Sequence, residues 1–315
     1  MRGRGLRKTP GPHPSHALTV FGIANSYRIT QAANPGLPMT LSLDGAAQEL
    51  AARLRPLALP ERLALIDATV DGRLVFTTSF GLEDQALTHA LRMAKSRAEI
   101  VTLDTGRLFP ETYDVWAETE AAYGFRIRAY APEREAEEHF VAESGINGFR
   151  HSVAARQACC GFRKVEPLGR ALAGAAGWLT GLRAGQSANR AETPLAEADH
   201  ARGLIKLNPL ADWTREAIAE LIHQNYVPYN VLHDRGFPSI GCAPCTRAVK
   251  LGEPERAGRW WWEQAGKQEC GLHVAGAPGS AIAPGREPAA FEPALSDSKR
   301  SPESSSTKTN PELAA

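Results

Sequence analysis

The sequence predicts an α/β fold, a mostly parallel sheet with helices on both faces. Three observations predict it. Short apolar or β-branched runs alternate with longer segments whose apolar residues recur every three to four positions, the alternation that builds parallel sheets. Several of the short runs are apolar almost throughout, as strands covered on both faces must be. They end in short polar turns, where the ligands of such sheets bind. Of 315 residues, 43% are hydrophobic and 23% charged, the balance of an ordinary globular chain and not of a fibrous, wholly disordered or disulfide-dense one.

The elements follow in order. Ala47, Leu50 and Leu54 lie on one face of a first helix that Pro56 ends. Leu63, Leu65 and Ile66 mark a second. Leu74 to Thr78 reads as a buried strand. A helix from Asp84 to Ala94 turns Ala86, Leu87, Ala90, Leu91 and Ala94 inward. Ile100 to Leu103 is a second strand, Glu111 to Tyr123 a helix, Phe125 to Tyr130 a third strand, and Glu133 to Glu143 another helix. Trp178 to Thr180 and Leu204 to Leu207 continue the sheet. Thr214 caps a helix reaching Gln224, with Ala217, Ile218, Leu221 and Ile222 inward. There is no internal repeat.

This places one domain over 44–274, between extensions that read as disordered. Residues 1–43 carry five basic residues, no acid and Pro10, Pro12, Pro14, Pro35 and Pro38. An acid-free, Arg-bearing start suits a transit peptide, but the amphipathic repeat and serine richness are missing; Met39 is an alternative start. Residues 275–315 are rich in Ala, Pro, Gly, Ser and charge, too polar to offset the entropy of ordering. Lys and Arg total 36 against 35 Asp and Glu. That near-neutral balance argues against a nucleic-acid binder driven by bulk charge, though not against a local anion site. No run approaches the roughly 20 apolar residues a membrane-spanning helix needs.

Three strand ends converge in such a fold. Ser79-Phe80-Gly81-Leu82-Glu83-Asp84 turns into a helix, whose first N–H groups favour an anion, with Ser79 and Gly81 allowing close approach. Glu83 and Asp84 would repel phosphate if they faced it, and no Walker Lys-Ser/Thr pair follows. Leu103-Asp104-Thr105-Gly106-Arg107 ends the second strand with short polar residues able to read a ribose or base edge. After Trp178-Leu179-Thr180 come Gly181, Arg183 and Arg190, where guanidinium groups can grip a phosphate or sulfate through two oxygens. Together the three loops suit a nucleotide.

The five cysteines are Cys159, Cys160, Cys242, Cys245 and Cys270. An odd count in clusters does not make a secreted disulfide framework, so the thiols fit a reducing, cytoplasmic compartment. Cys159-Cys160 and Cys242-Ala243-Pro244-Cys245 form two pairs, able to hold zinc or an iron–sulfur cluster. An adjacent pair spans a single ion awkwardly, whereas a cluster offers separate iron corners, so the pattern favours [4Fe–4S]. A redox Cys-x-x-Cys would leave the first pair unexplained. Cys270 stands apart in Glu269-Cys270-Gly271-Leu272-His273. An ordinary thiol, with pKa about 8.5, is only a few per cent ionised at neutral pH; a cation such as His273 would raise that fraction. Arg256 and Arg259 could present one cationic face, braced by Trp260-Trp261-Trp262.

With these pieces assembled, the stretch from about Asp71 to His273 resembles the assimilatory adenylyl-sulfate and phosphoadenylyl-sulfate reductases, in their cluster-bearing branch. The matching motifs are Ser79 to Gln85, Leu103 to Arg107, Cys159-Cys160 with Arg163-Lys164, Ile240 to Thr246, and Glu269 to His273. The resemblance implies an adenine-nucleotide α-hydrolase-like fold and a [4Fe–4S] cluster on Cys159, Cys160, Cys242 and Cys245. It implies that Cys270 attacks adenylyl sulfate, that AMP leaves, and that thioredoxin or a similar dithiol releases sulfite from the S-sulfocysteine. Lys164, Arg256, Arg259 and His273 match positions that stabilise the anionic groups. Ser79, Phe80, Gly81, Glu83, Asp84, Leu103, Asp104, Thr105, Gly106, Gly181 and Arg183 match positions that hold the nucleotide. The sequence departs from many relatives at Ala184, where they carry a second basic residue after Arg183, and in a turn after Phe80 that is one residue shorter than in some. The phosphorylated nucleotide as substrate, a same-fold adenylating or thiolating enzyme, and a zinc-binding module are the alternatives. Oligomeric state is open, a homo-oligomer included.

Overall fold

Leu74, Val75 and Phe76 are each at most 1% exposed, so the strand they form has no water-facing side. In the computed structural model, which describes residues 41–263, this strand, β1 (Arg73–Thr78), lies inside a six-stranded sheet. The others are β2 (Glu99–Leu103), β3 (Arg128–Tyr130), β4 (Ala175–Leu179), β5 (Ala196–Asp199) and β6 (Leu204–Leu207). Their order is β3-β2-β1-β4-β6-β5. All neighbours run parallel except β5, which pairs antiparallel with β6 at the edge.

Side chains alternate between the faces along each strand, and the two cores follow that alternation. Leu74, Phe76, Ile100, Leu179, Ile205 and Leu207 point to one face and pack with helices α1 (Leu43–Leu54), α2 (Leu59–Thr69), α3 (Leu82–Met93), α4 (Pro110–Tyr123) and α8 (Arg215–Gln224). Val75, Val101, Trp178 and Leu204 point to the other, against Leu168, Ala171 and Leu172 of α7 (Glu166–Leu172). A third apolar cluster, Phe149, Cys242, Cys245 and Trp260, stands apart from both.

The sequence expectations hold for most of this frame, with corrections. The α1 helix starts at Leu43 with Ser42 accepting from the Gly45 N–H at 3.1 Å, inside the stretch read as an extension. Ala94 is exposed because the helix ends at Met93 and Ala94 is its cap. The third strand is shorter than its apolar start suggests: Phe125 and Ile127 pack into the helical layer instead of extending the ladder. The helix after it, α5 (Arg134–Ser144), buries none of its residues. Edge strand β5 escaped notice because Glu197 and Asp199 break its apolar pattern; they pair with Lys206 (2.7 Å) and Arg202 (2.6 Å). Also unforeseen was the rod made by α6 (Val153–Cys160), a π-helical turn (Gly161–Val165) and α7. The tail 275–315 and residues 1–40 lie outside the described residues.

Candidate active site

Strand order changes direction between β1 and β4: the chain leaves β1 to one side for β2 and later returns on the other for β4. Connections diverging from two adjacent strands leave a crevice beyond their carboxyl ends. A cavity of about 180 Å³ occupies that place, lined by Thr77 to Gly81 after β1, Leu103 and Thr105 after β2, and Thr180 to Leu182 after β4.

The first loop is shaped by Phe80, whose backbone takes the left-handed conformation at φ 59°. That is unusual for a bulky residue. It is held by burial, by stacking on Trp116 at 5.5 Å between ring centroids, and by Thr78 Oγ1 accepting from the Phe80 N–H at 3.1 Å. The two acids that threatened to repel an anion are both engaged. Asp84 Oδ2 accepts from Ser79 N (2.6 Å) and Ser79 Oγ (2.7 Å). Loss of hydration, only partly offset by these bonds, pushes the Asp84 carboxyl up to about 6. Gly181 makes room for it, because a Cβ there would stand 2.2 Å from Asp84 Oδ1. Glu83 accepts from Arg183 Nε at 2.9 Å, and Arg183 Nη2 reaches both oxygens of Glu255 at 3.1 and 2.9 Å.

Not every predicted nucleotide residue reaches the cavity. Ser79, Phe80, Gly81, Glu83, Asp84, Leu103, Thr105 and Gly181 line it. Arg183 stands behind the wall, buried, with its guanidinium fork divided between Glu83 and Glu255. Asp104 is a turn cap, accepting from Gly106 N (2.9 Å) and Tyr113 Oη (2.8 Å). Gly106 allows the left-handed turn at φ 67° beside Arg163. The lining also contains residues that the motifs did not single out, among them His233, Ser239 and Glu255, together with Trp260, which the sequence suggested only as a brace. Thr180 could have been anticipated, since it follows β4 as Thr78 ends β1. His233 and Glu255 carry no local signal.

At the cavity's far wall stand Lys164, Arg256 and Arg259. Lys164 lies on the π-helical turn. Arg259 is buried, reaches Ser239 Oγ and the Ile240 carbonyl only at 3.5 Å, and leaves its Nε without a partner among the described residues. Gly241 admits it: a Cβ there would lie 2.2 Å from Nη2. The Trp260 ring, at left-handed φ 47°, has the guanidiniums of Arg156 and Arg259 each 4.7 Å from its centroid.

Lys164 also lines a second, smaller cavity with Cys159, Cys160, Cys242, Cys245, Arg107, Arg156 and Arg163. All four cysteines are free thiols. The two pairs come from the end of α6 and from the one-turn helix Ala243–Cys245. Thr105, which lines the large cavity, reaches Cys242 Sγ at 3.3 Å. Burial raises all thiol pKa values in principle, but at Cys242 the charges of Lys164, Arg259 and Arg163 and the Thr105 hydroxyl outweigh it and hold the thiol below its usual value. Burial and the neighbouring Cys242 push Cys245 up to about 12, and burial raises Cys159 as well. Among the described residues no three or more His, Cys, Asp or Glu side chains are gathered in the geometry of a metal-ion site. The donor set nevertheless fits an iron–sulfur cluster: four thiols face one cavity, and a cluster bound by four thiolates is an anion, which the surrounding Lys164, Arg107, Arg156 and Arg163 favour, the last two also pairing with the carboxylates of Glu263 and Glu137. Cys270 and His273 lie outside the described residues.

Residues 73–248 match the phosphoadenosine phosphosulfate reductase domain. The adenosine 5'-phosphosulfate reductase of Sinorhizobium fredii strain USDA 257 is 57% identical over 243 residues, covering 77% of this chain and 96% of that protein. The chain belongs to the phosphoadenosine phosphosulfate reductase family. Within that family it is also similar to the adenosine 5'-phosphosulfate reductase of Allochromatium vinosum, 52% identical over 219 residues, or 70% of this chain and 85% of that one. Among solved structures, the phosphoadenylyl-sulfate reductase of Candida auris in a phosphate complex superposes with a TM-score of 0.56 at 30% identity, covering 67% of this chain and 99% of that one. The mostly parallel sheet expected from the sequence is the one observed, and the Candida auris structure shares its fold. No helix among the described residues is long and apolar enough to cross a membrane.

Proposed function

We propose that this protein reduces adenylyl sulfate to sulfite and AMP, with electrons from thioredoxin or a similar dithiol. The observation that carries the reading is the junction of the two cavities: Lys164 lines both, so a nucleotide at the strand ends would extend its anionic end toward the cysteine pairs. The names of the 57% and 52% identical relatives support the unphosphorylated nucleotide as substrate.

The chemistry divides one hard reduction into two exchanges. The Cys270 thiolate attacks the sulfur of adenylyl sulfate. The bond from that sulfur to the phosphate oxygen breaks, and AMP leaves with its electron pair. The sulfonyl group stays as S-sulfocysteine. A thiolate of the reductant then attacks Cys270 Sγ, sulfite leaves, and the second thiol resolves the mixed disulfide. The reductant ends as a disulfide and Cys270 as a thiol. Lys164, Arg256, Arg259 and His273 stabilise charge on the transferring oxygens and the departing phosphate, where fixed cations are worth most. Ser79, Phe80, Gly81, Glu83, Asp84, Leu103, Thr105 and Gly181 form the nucleotide's walls, with Asp104, Gly106 and Arg183 bracing them. Cys159, Cys160, Cys242 and Cys245 would hold a [4Fe–4S] cluster, which would supply a fixed field and an anchor for the loop Ile240–Thr246, the two electrons of the reduction coming from the dithiol.

The test is steady-state kcat/KM for adenylyl sulfate and phosphoadenylyl sulfate with thioredoxin, on protein purified without oxygen. A preference for adenylyl sulfate is expected. Equal values or the reverse preference would overturn the substrate assignment. ATP consumption with no sulfite would favour a same-fold adenylating enzyme instead.

A further inference from the structure

We propose that Glu255 is a positioning residue: through Arg183 it fixes how far the loop bearing Arg256 and Arg259 stands from the strand ends. The inference rests on the adenylyl-sulfate reading and adds to it a residue that the motifs leave unmarked.

The large cavity has walls from two distant parts of the chain, the strand-end loops and the late loop that carries Arg256 and Arg259. On one side the late loop is tied to the cysteine loop. Thr246 and Arg259 form a backbone bridge, Arg247 N donates to the Gly258 carbonyl at 3.0 Å, and Trp260 N donates to the Cys245 carbonyl at 3.1 Å. Gly258 permits this fit, because a Cβ there would lie 2.2 Å from the Arg247 carbonyl oxygen. None of these bonds reaches the sheet.

Glu255 makes the bond toward the sheet. Both of its oxygens accept from Arg183 Nη2, at 3.1 and 2.9 Å, and Arg183 Nε donates to Glu83 at 2.9 Å. Arg183 lies on the loop after β4 and Glu83 in the first turn of α3. One planar guanidinium thereby joins the end of β4, the start of α3 and the late loop. Its donors sit in a rigid fork, and at 3% exposure the Arg183 side chain has no open side into which to shift.

Glu255 hands its position to the cations through the backbone. Arg256 follows it directly. Ala257 N donates to the Pro254 carbonyl and Arg259 N to the Arg256 carbonyl, both at 2.9 Å, so two successive turns run from Pro254 to Arg259. A shift of the Glu255 carboxylate therefore moves both arginines against the nucleotide's walls. A misplacement of about 1 Å can cost on the order of 10²-fold in rate. The same role explains why this wall spends two carboxylates on one guanidinium beside an anion site: the second is there for the distance it spans.

Three variants separate that distance from charge. Glu255→Gln keeps the length and one acceptor but loses the charge. Glu255→Asp keeps the charge and is one methylene shorter. Glu255→Ala loses both. On the full chain purified without oxygen, kcat for adenylyl sulfate at saturating thioredoxin is divided by the number of AMP sites that calorimetry counts, so misfolded protein does not enter. Glu255→Ala should lower this kcat about 10- to 100-fold, with AMP affinity changed far less. Glu255→Gln should recover most of the loss, and Glu255→Asp should stay near Glu255→Ala. An Asp variant as active as the Gln variant, or more so, would mean that charge matters and not length, and would overturn the proposal. So would native kcat in Glu255→Ala, or equal losses of kcat and AMP affinity, which would mark a nucleotide contact. Should Glu255→Ala fail to fold, the order of the Gln and Asp variants decides. Native protein that forms no sulfite from adenylyl sulfate would instead sink the reductase reading on which the inference stands.

Discussion

The two cavities that meet at Lys164 are built on opposite principles. The cavity at the strand ends is made from buried strands, and its acids are held by fixed partners: Asp84 by Ser79, Glu83 and Glu255 by Arg183. The cysteine cavity is made from a helix end and a late loop, and its thiols oppose one another, Cys242 held low by surrounding cations and Cys245 driven up partly by Cys242. One site is preorganised for a ligand that comes and goes. The other carries cations and thiols in a balance that four ionised cysteines around an iron–sulfur core would complete. Preorganised donors act without rearranging during reaction, which is where their catalytic value lies.

Five substitutions break or sharpen this contrast. Cys270→Ser should abolish sulfite formation, by on the order of 10⁴-fold or more, while iron and labile sulfide per chain stay native; retained turnover would remove the nucleophile. Cys245→Ser acts on the other side: iron should be lost and activity with it, while AMP affinity measured calorimetrically falls far less. Equal loss of both would show that the cavities are one cooperative unit. Lys164→Ala, at the junction, should lower kcat/KM by about 10²–10³, the range for removing one fixed stabilising group, with a smaller change in AMP affinity. Arg183→Leu strands two carboxylates, Glu83 among the buried residues. Removing one partner of a buried ion pair costs about 3–5 kcal/mol, visible as a lowered denaturation midpoint; an unchanged midpoint would mean that the wall is not held from behind.

The smallest effect concerns pH. Because the Asp84 carboxyl is raised from 3.8 to about 6 in the fold, the native state holds a proton that the unfolded chain has released between those values. Stability from this group therefore falls as pH rises through that window. Asp84→Asn should flatten that part of the pH–stability curve, followed by thermal unfolding at constant ionic strength. A curve parallel to native would place the titration elsewhere.

Much of the nucleotide side was legible because strand–helix alternation is written in apolar periodicity, and ligands of parallel sheets bind at strand ends whatever the chemistry. Leu74 to Thr78 and Ile100 to Leu103 announce themselves, and the turns after them follow. Paired cysteines are likewise visible as spacing. What was hidden depends on partners far away in the chain. Nothing near Glu255 tells that it will hold Arg183, 72 residues earlier, and Arg183 looked like a phosphate ligand because its counter-charges were not apparent. The helix bearing Cys159 and Cys160 was missed because its apolar face is short and its continuation departs from the usual helical period.

That continuation is a single widened turn, Gly161–Val165, between two ordinary helical stretches. Such a turn puts the rod out of step with itself. Its leading end aims thiols at one cavity, its trailing end seats Leu168, Ala171 and Leu172 on the sheet, and the misfit between them carries Lys164. A chain shortened by one residue here could regain an even pitch, but its two ends would then face directions that no longer serve both neighbours. The phase of one helix thereby ties the position of two thiols to that of the sheet, and evolution cannot tune either independently.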